Sequence, residues 1–489
     1  MPASKRATGH RAVPVLAARL NAQVALVAEL DGHVVARFRG YAQALGKFLP
    51  ATLERLHQLR TGLPLPSSKG AANNDVGLLI RRLALSGLLE YRIGSVRGGQ
   101  DQIVIEPQMA EYWPNVSKIV DGDMIALSRF AYMRRRGKDV VLESPRAGAL
   151  FRICDPRITS EIATLAQPKK IGQYRKERGF PGLELLGLLL DCEILFKVKP
   201  GDAEGLRASE GDANLVLWDF HDLLFHTRST DGRQANPIGG LYSYASSMPP
   251  LPAVRAPWPG KTIDLNSQAS SASTSSFVRL LHERHSTRDF DEEHPITLAE
   301  LAAFLQAAGR IRARWTSESE PEAEGPQVAY ASRPYPSGGA SYELELYLSV
   351  ANCEGLARGF YHYDADRHVL TFIDARLQEV EAQLSAAAFA IGASGLPQVL
   401  ITIAARFGRV SWKYSSVAYS LILKDVGVLM QTLYLTATDM GLGGCAIGTN
   451  NIDQFAKMTG LGFYVEGSVG QFALGRGHKD GPEQIPSGA

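Results

Sequence analysis

The chain reads as an α+β protein of several domains, and three observations carry that reading. Its 489 residues exceed one ordinary core, at roughly 100–200 residues per domain. Segments of strand alternation interleave with segments of helical spacing along the whole length. A strand, helix, helix, strand order also occurs over residues 15–110 and recurs, degenerately, over 120–200. A last stretch of different texture, residues 277–489, has the length of one catalytic domain.

Composition narrows the class. Apolar residues make up 45% and charged residues 21%, which is globular and not disordered. No uncharged apolar run reaches the roughly 18 residues a membrane helix needs, so no membrane span is expected. The basic N-terminus (Lys5, Arg6, Arg11) leads into an apolar stretch cut by Arg19, Asn21 and Gln23, a poor signal peptide. The cysteines Cys154, Cys192, Cys353 and Cys445 are far apart with no C-x-x-C, which suggests neither a disulfide framework nor a zinc knuckle. A cytoplasmic protein is expected. The net charge of +2 hides an asymmetry: residues 1–200 hold 30 Lys and Arg against 18 Asp and Glu, and the remainder 22 against 32. A basic front suits an anionic partner such as nucleic acid or an acidic peptide, and equally a plain solvated surface.

In order along the chain, Gln23–Glu29 and Val34–Arg39 read as strands around Asp31-Gly32. A helix is expected from about Ala42 to Leu59, followed by a polar break at Ser67–Asn74. Asp75 can N-cap a second helix over Val76–Ser86, and strands Leu88–Ile93 and Gln102–Glu106 flank Arg97-Gly-Gly-Gln100 as a wing. That is a winged-helix pattern. In the second copy, strands are expected at Ile125–Met133, Val140–Glu143, Ala149–Ile153 and Cys192–Val198, with helices at Arg157–Ala166 and Leu183–Leu190. Residues 199–213 read as a linker. Residues 214–276 form a connecting segment, with an aromatic helix at Trp218–His226 and an irregular Pro/Ser/Ala stretch at Ser247–Ser276. In the last domain, strands are expected at Ser341–Val350, Gly359–Tyr363, His368–Ile373, Gln398–Ala405 and Ser468–Leu474. Val417–Met440 reads as a nearly all-apolar helix, central or at a subunit interface. The acidic Ser317–Gly325 reads as a surface loop.

Five clusters in the last domain could do chemistry. Glu283-Arg284-His285-Ser286-Thr287-Arg288 offers two guanidiniums, a hydroxyl and an imidazole, a good phosphate grip unless it is an ordinary helix end. Arg333-Pro-Tyr-Pro-Ser-Gly-Gly-Ala340 precedes a strand, and its paired glycines allow close backbone approach to a planar or anionic ligand; a plain tight turn competes. Gly441-Leu-Gly-Gly444 ends the apolar helix, with Gly441 placed as a C-cap and Gly443 and Gly444 able to line a pocket. Gly475-Arg476-Gly477 could close on the same phosphate. Trp412-Lys413-Tyr414-Ser415 offers a lysine and a phenol, usable as a base if the site lowers a pKa. No metal-ligand spacing appears, so no metal is expected.

Taken in order, these clusters resemble the FMN-dependent nitroreductase superfamily, whose opening Arg-(Arg/His)-Ser-x-(Arg/Lys)-x-Phe is matched by Arg284 to Phe290. The domain is similar, more narrowly, to the SagB/ThcOx-type azoline dehydrogenases of ribosomal peptide biosynthesis. That likeness rests on Tyr335-Pro-Ser-Gly-Gly339, Gly359-Phe-Tyr-His-Tyr-Asp364, Lys413-Tyr414 and Gly441 to Gly448. Trp218–His226 with Asn236-Pro-Ile-Gly239 resembles the preceding segment, and 15–200 resembles, more weakly, the peptide-recognition-like modules of cyanobactin oxidases. The resemblance implies a homodimeric flavoprotein with FMN at the subunit interface. Arg284, His285, Ser286, Arg288 and Arg476 would hold the phosphate and ribityl chain, and Pro336, Ser337, Gly338, Gly339, Gly443 and Gly444 the isoalloxazine. Lys413 and Tyr414 would be catalytic, taking a ring proton while hydride passes to flavin N5. A thiazoline or oxazoline in a precursor peptide would thereby become an azole. The basic charge and the fold of the front suggest that it binds an anionic leader peptide, as an added strand or along a groove, and the resemblance implies a cyclodehydratase partner. The rivals are an NAD(P)H-dependent reductase of small nitroaromatics or quinones and a flavin-sensing DNA regulator. Against the latter, Val76–Ser86 carries only Arg81 and Arg82, and Leu183–Leu190 carries no basic residue.

Overall fold

The computed structural model describes residues 15–38, 41–65, 75–94, 100–109, 112–177, 182–198, 210, 214–230, 245–255, 257, 259–266, 275–317 and 327–477. The basic terminus, the break at 67–74, the wing residues 97–99, nearly all of the linker 199–213, Asn236–Gly239 and all but the first residue of the acidic run 317–325 lie outside the described residues. The chain divides into two compact units, Met1–Asn236 and Pro237–Ala489, so the division falls inside the connecting segment expected at 214–276.

In the front unit the two expected modules share one antiparallel sheet. Its order is Leu63–Pro64, Val15–Leu20, Leu89–Gly94, Asp101–Pro107, Ala149–Ile153, Asp139–Glu143, Tyr132–Arg136. The seam joins Asp101–Pro107 to Ala149–Ile153, with Ile105 opposite Phe151. One apolar core runs across it, from Leu16 and Leu83 to Ile158, Leu186 and Leu189. Residues 15–110 and 120–200 therefore close a single core together, because the strands that edge each module are paired by the other.

Three expectations for this unit are corrected. The helix over 42–59 is a strand, Tyr41–Lys47, paired with His33–Phe38, then a short helix Pro50–Leu53 and a 3₁₀ turn Leu56–Arg60. Gly46 at φ +103° suits a bulged hairpin, and Pro50 at the first helical position starts a helix only there. The strand Ile125–Met133 is two strands in different sheets: Met124–Leu127 pairs with Leu195–Val198, and Tyr132–Arg136 with Asp139–Glu143. A further helix, Ile171–Glu177, was not foreseen. The helix Asp75–Leu85 is present as expected, and its Asp75 carboxylate accepts from Leu49 N and Thr52 Oγ1 at 2.6 and 2.9 Å. Trp218 is buried and stacks on buried His226, 5.6 Å between centroids.

The back unit is built on a six-stranded antiparallel sheet. Its order is Val369–Ile373, Gly359–Asp364, Leu344–Val350, Val399–Arg406, Glu466–Gly475, Gly443–Ile447. Val399–Arg406 sits in the middle, buried along all but its last residue, as an almost uninterrupted apolar run requires. Helices Leu377–Ile391 and Ile452–Thr459 bury Leu384, Ala387, Phe455 and Met458 against Tyr347, Leu400 and Ala473 on one face. Because side chains alternate along a strand, Phe472 points to the other face, where Tyr434 of the long helix Ala418–Asp439 meets it edge-on at 5.1 Å. The long helix buries one stripe, including Tyr419, Ile422, Asp425, Val426, Leu429 and Leu433. Gly441 follows its end at φ +67°, and Leu442 N donates to Ala437 O, a left-handed stop. Thr297 caps the helix Leu298–Gly309 through a capping box with Glu300. The two-stranded ribbon Ala313–Thr316 with Ala329–Ser332 stands beside this framework. Among the described residues, no helix is long and apolar enough to cross a membrane.

Candidate functional site

The site is organised around the long helix. At its N-terminal half lies the turn made by Ser337, Gly338 and Gly339. Gly339 adopts φ +59°, ψ 27°, with Ala340 at φ +54° and Tyr342 at φ +43°. The left-handed region is costly for residues with a Cβ, so this turn is held by its surroundings. Asp425, buried on the helix, supplies the hold: its carboxylate accepts from Ser337 Oγ at 2.8 Å and from Gly338 N at 2.9 Å. Ser337 Oγ in turn accepts from Tyr342 N at 3.0 Å. Glu343 is fully buried alongside, 3.3 Å from Ser337 Oγ, and among the described residues its Oε1 has no hydrogen-bond partner. Burial, followed by repulsion from the Asp425 carboxylate, pushes the Glu343 acid up to about 7. Two carboxyl groups so close cannot both ionise cheaply, which adds to the cost of an ionised Glu343 beneath the turn.

Above the turn are Lys413 and Tyr414. They follow the short helix Gly408–Ser411, with both backbone N–H groups donating to Val410 O. A Cβ on Gly339 would lie 2.3 Å from Tyr414 Oη and 2.9 Å from Lys413 Nζ. The two side chains therefore reach over the bare face of Gly339, where only glycine leaves room. Lys413 is exposed and Tyr414 half-buried, and Lys413 Nζ lies 5.3 Å from the Tyr414 ring centroid and 5.8 Å from that of Tyr330. The structure thus brings together Gly338, Gly339, Lys413 and Tyr414; Pro336, exposed, opens the same turn.

The second group sits nine residues further along the helix, about 14 Å at 1.5 Å per residue. Tyr434 shares a hydrogen bond with Ser286 Oγ at 2.8 Å and accepts from Ala446 N at 2.8 Å. Arg284 lies 5.1 Å from the Tyr434 ring centroid. His285 Nδ1 donates to Glu283 O at 3.0 Å, and Arg288 is exposed. Neither Arg284 nor Arg288 forms an ion pair among the described residues. Two cations left without a carboxylate, beside a serine, suit an anionic group such as a phosphate.

Gly443, Gly444 and Arg476 have other engagements. Both glycines are buried in the edge strand; a Cβ on Gly443 would meet Thr287 Cγ2 at 2.5 Å, and one on Gly444 would meet Phe472 Cζ at 2.3 Å. Thr287 N also donates to Gly444 O at 2.9 Å. Packing within the chain accounts for both glycines. The Arg476 guanidinium bonds both oxygens of Glu300, at 2.7 and 2.9 Å, so a ligand would have to draw it away.

Sequence reasoning missed Asp425, Glu343 and Tyr434. Asp425 left a signal, a carboxylate in the middle of a mostly apolar helix. Nothing in the local sequence marks Glu343, since it takes its place in a strand of alternating Glu and Leu. His362 and Asp364, from the hairpin sequence singled out above, do not join the turn. With Arg333, Glu345, Arg406 and Glu466 they line a cavity of about 340 Å³.

Comparison with known proteins places two parts of the chain in described families. Residues 125–235 match the family model of the cyanobactin oxidase ThcOx, and residues 281–476 match that of the nitroreductase family. A protein of Methanocaldococcus jannaschii carrying the nitroreductase name, MJ1384, is 30% identical over 183 residues, which are 37% of this chain and 83% of that protein. Among solved structures, the E. coli microcin synthetase McbBCD complex with truncated pro-MccB17 is similar at 19% identity and TM-score 0.38, over 55% of this chain and 97% of that one. A nitroreductase from Ralstonia eutropha is similar at 20% identity and TM-score 0.31, over 46% and 97%. A third, from Bacteroides fragilis with bound FMN, reaches 14% identity and TM-score 0.26, over 44% and 96%. At these scores the structural likenesses carry no statement about what this chain does.

Proposed function

The chain belongs to the nitroreductase family, and from that premise we propose that it is an FMN-dependent dehydrogenase of thiazoline or oxazoline rings in a ribosomally made peptide. The observation that carries the reading is Lys413 and Tyr414 poised over the left-handed Gly339. A reductase of small molecules needs no base there; removal of a ring C–H proton does. The match of residues 125–235 to the cyanobactin oxidase model supports the same branch.

FMN is the cofactor of this reading, and the residues present fit it. Arg284, Arg288 and Ser286 would hold its phosphate, with His285 beside them. Ser337, Gly338 and Gly339, with Pro336, would lie against its ring. Gly443, Gly444 and Arg476 would contribute only after small rearrangements of Thr287 and Glu300. When bound, FMN supplies the two-electron acceptor. This chain's own residues do the rest. The turn keeps a flat, side-chain-free floor at Gly339, and Lys413 or Tyr414 takes the proton as the ring C–H bond breaks. Loss of that proton together with a hydride aromatises the ring. Positioning of base and ring in one pocket supplies most of what such a step needs.

The same reading includes a homodimer, supported by the apolar residues Leu421, Leu423, Val428, Met430 and Leu435, which are only half-buried on the long helix. It also includes a precursor peptide whose leader meets the winged-helix-like front, and a cyclodehydratase that makes the azoline. A sheet edge can add a peptide strand, and Tyr132–Arg136, with Arg134, Arg135 and Arg136, is such an edge.

The test is a paired assay on purified protein, after release and identification of bound flavin. An azoline-bearing peptide is supplied without NAD(P)H, and the product mass is followed. Loss of two hydrogens per ring supports the proposal. Flavin with only NAD(P)H-driven reduction of small acceptors would hand the function to the reductase reading.

A further inference from the structure

The ribbon Ala313–Thr316/Ala329–Ser332 plays no part in the site described above, yet it is attached to it. Trp315 and Tyr330 are direct cross-strand partners. Their rings stack with centroids 5.7 Å apart and planes 19° apart. Stacked aromatics are ordinarily covered, but Trp315 is 47% exposed and all four residues of its strand are exposed. The stack is therefore not a core element.

Its position is set by Arg409. That guanidinium donates to Ser341 O from Nε and Nη2, at 3.2 and 3.1 Å, and to Ala329 O from Nη2 at 3.0 Å. One side chain thereby ties the ribbon to the chain just beyond the glycine turn. Arg409 sits on the short helix that leads into Lys413 and Tyr414. Base, turn and ribbon are thus pinned to one another, and Lys413 Nζ comes within 5.8 Å of the Tyr330 ring centroid.

Resting on the function proposed above, we infer that the Trp315–Tyr330 stack is the wall of the substrate subsite and takes the flat azoline ring, or the planar azole beside it, face-on or edge-on next to Lys413. A near-flat azoline ring with its C=N bond, or a planar azole, gains from aromatic contact what a flexible, uncyclised Cys, Ser or Thr side chain does not. The stack would accordingly make the enzyme favour heterocyclised over uncyclised peptide. A rigid ribbon held by Arg409 orders few groups on binding, which keeps that gain.

The experiment measures KM and kcat for an azoline-bearing peptide, with its uncyclised counterpart as competitor, on the full chain loaded with FMN. Tyr330→Leu and Trp315→Leu remove a ring; Tyr330→Phe and Trp315→Phe keep it. One aromatic contact corresponds to about 2- to 12-fold in binding. The expected result is a KM raised by about that factor in each Leu variant, with reduced preference for the cyclised peptide. The Phe variants should recover both within about twofold, since they keep the ring that makes the contact. Leu variants that keep the KM and the preference of the unaltered protein would overturn the subsite while leaving the dehydrogenase reading intact. Absence of azoline oxidation by the unaltered protein is a separate result that removes the function and, with it, the subsite. Trp315 is exposed, so its Leu variant tests the inference even if Tyr330→Leu fails to fold.

Discussion

Two glycine pairs in the back unit look alike in sequence and differ in physics. Gly338-Gly339 lies on a turn, and Gly339, exposed, sits in a backbone region that disfavours a Cβ, with Lys413 and Tyr414 over it. Gly443-Gly444 lies in a regular edge strand, buried, with Thr287 and Phe472 filling the space a Cβ would need. In the first pair, Gly339 is held by its backbone conformation and by two side chains at an exposed turn; in the second, both glycines are held by buried packing. A glycine pair beside a proposed cofactor site is therefore no evidence of cofactor contact until its neighbours are known.

The sharpest test of the turn's role is its base. Lys413→Ala should lower azoline dehydrogenation by about 10²- to 10⁴-fold, the range for loss of a general base, with bound flavin retained in the absorbance spectrum. Unchanged turnover would leave the turn without its chemistry. The second test turns on stability. Gly444→Ala drives a methyl into Phe472 and should cost about 1–3 kcal/mol, read as a lower midpoint in denaturant. Gly339→Ala places a Cβ at φ +59° and against Lys413 and Tyr414, so it too costs stability, about 1–2 kcal/mol, and should lose turnover out of proportion to its drop in midpoint. Should Gly444→Ala fold normally and lose flavin, the contrast between the pairs collapses and Gly444 becomes a cofactor contact.

Arg288→Ala should weaken FMN by roughly 10- to 100-fold, as for a lost charged hydrogen bond of about 1.5–3 kcal/mol, measured by flavin titration. Arg476→Ala should change the same titration by less than about fivefold, because its half-exposed pair with Glu300 is of the kind worth 0–1 kcal/mol. Equal losses would mean that Arg476 leaves Glu300 for the phosphate.

A smaller effect concerns the acid beneath the turn. Glu343 is raised from an ordinary 4.5 to about 7, so the native state holds a proton that the unfolded chain releases. Stability from this group is full below about pH 4.5 and is lost as pH rises through 7. Glu343→Gln, which keeps a donor toward Asp425, should remove that slope. At pH 8 the variant should equal or exceed the parent in unfolding free energy, by on the order of 1 kcal/mol; at pH 5 it should not. Parallel curves at both pH values would show that Asp425 alone holds the turn.

Much of the back unit could be read directly. The strands at Leu344–Val350, Gly359–Asp364, Val399–Arg406 and Glu466–Gly475 and the helix Ala418–Asp439 fall within a few residues of their expected bounds, because each carries its own period of apolar residues. The strand Gly443–Ile447 was not read, since a Gly-Gly-Cys-Ala run has little strand propensity and is a strand only by pairing with Glu466–Gly475. In the front unit, Tyr41–Lys47 misled for the same reason: Ala, Gln, Leu and Lys favour a helix, and the pairing with His33–Phe38 overrode them.

By itself, then, the amino-acid sequence determined the elements with strong periodicity, the Lys-Tyr pair, the arginine-rich helix exit and the glycine turn, since those depend on residue type and near neighbours. Tertiary structure alone decided that the two halves of the front unit close one core, that Asp425 and Glu343 share the space under Gly338, that Arg476 is held by Glu300, and that Tyr330, stacked on Trp315, stands beside Lys413. Each of these joins residues many positions apart, and the closing of such contacts is a property of the packed chain that no local pattern records.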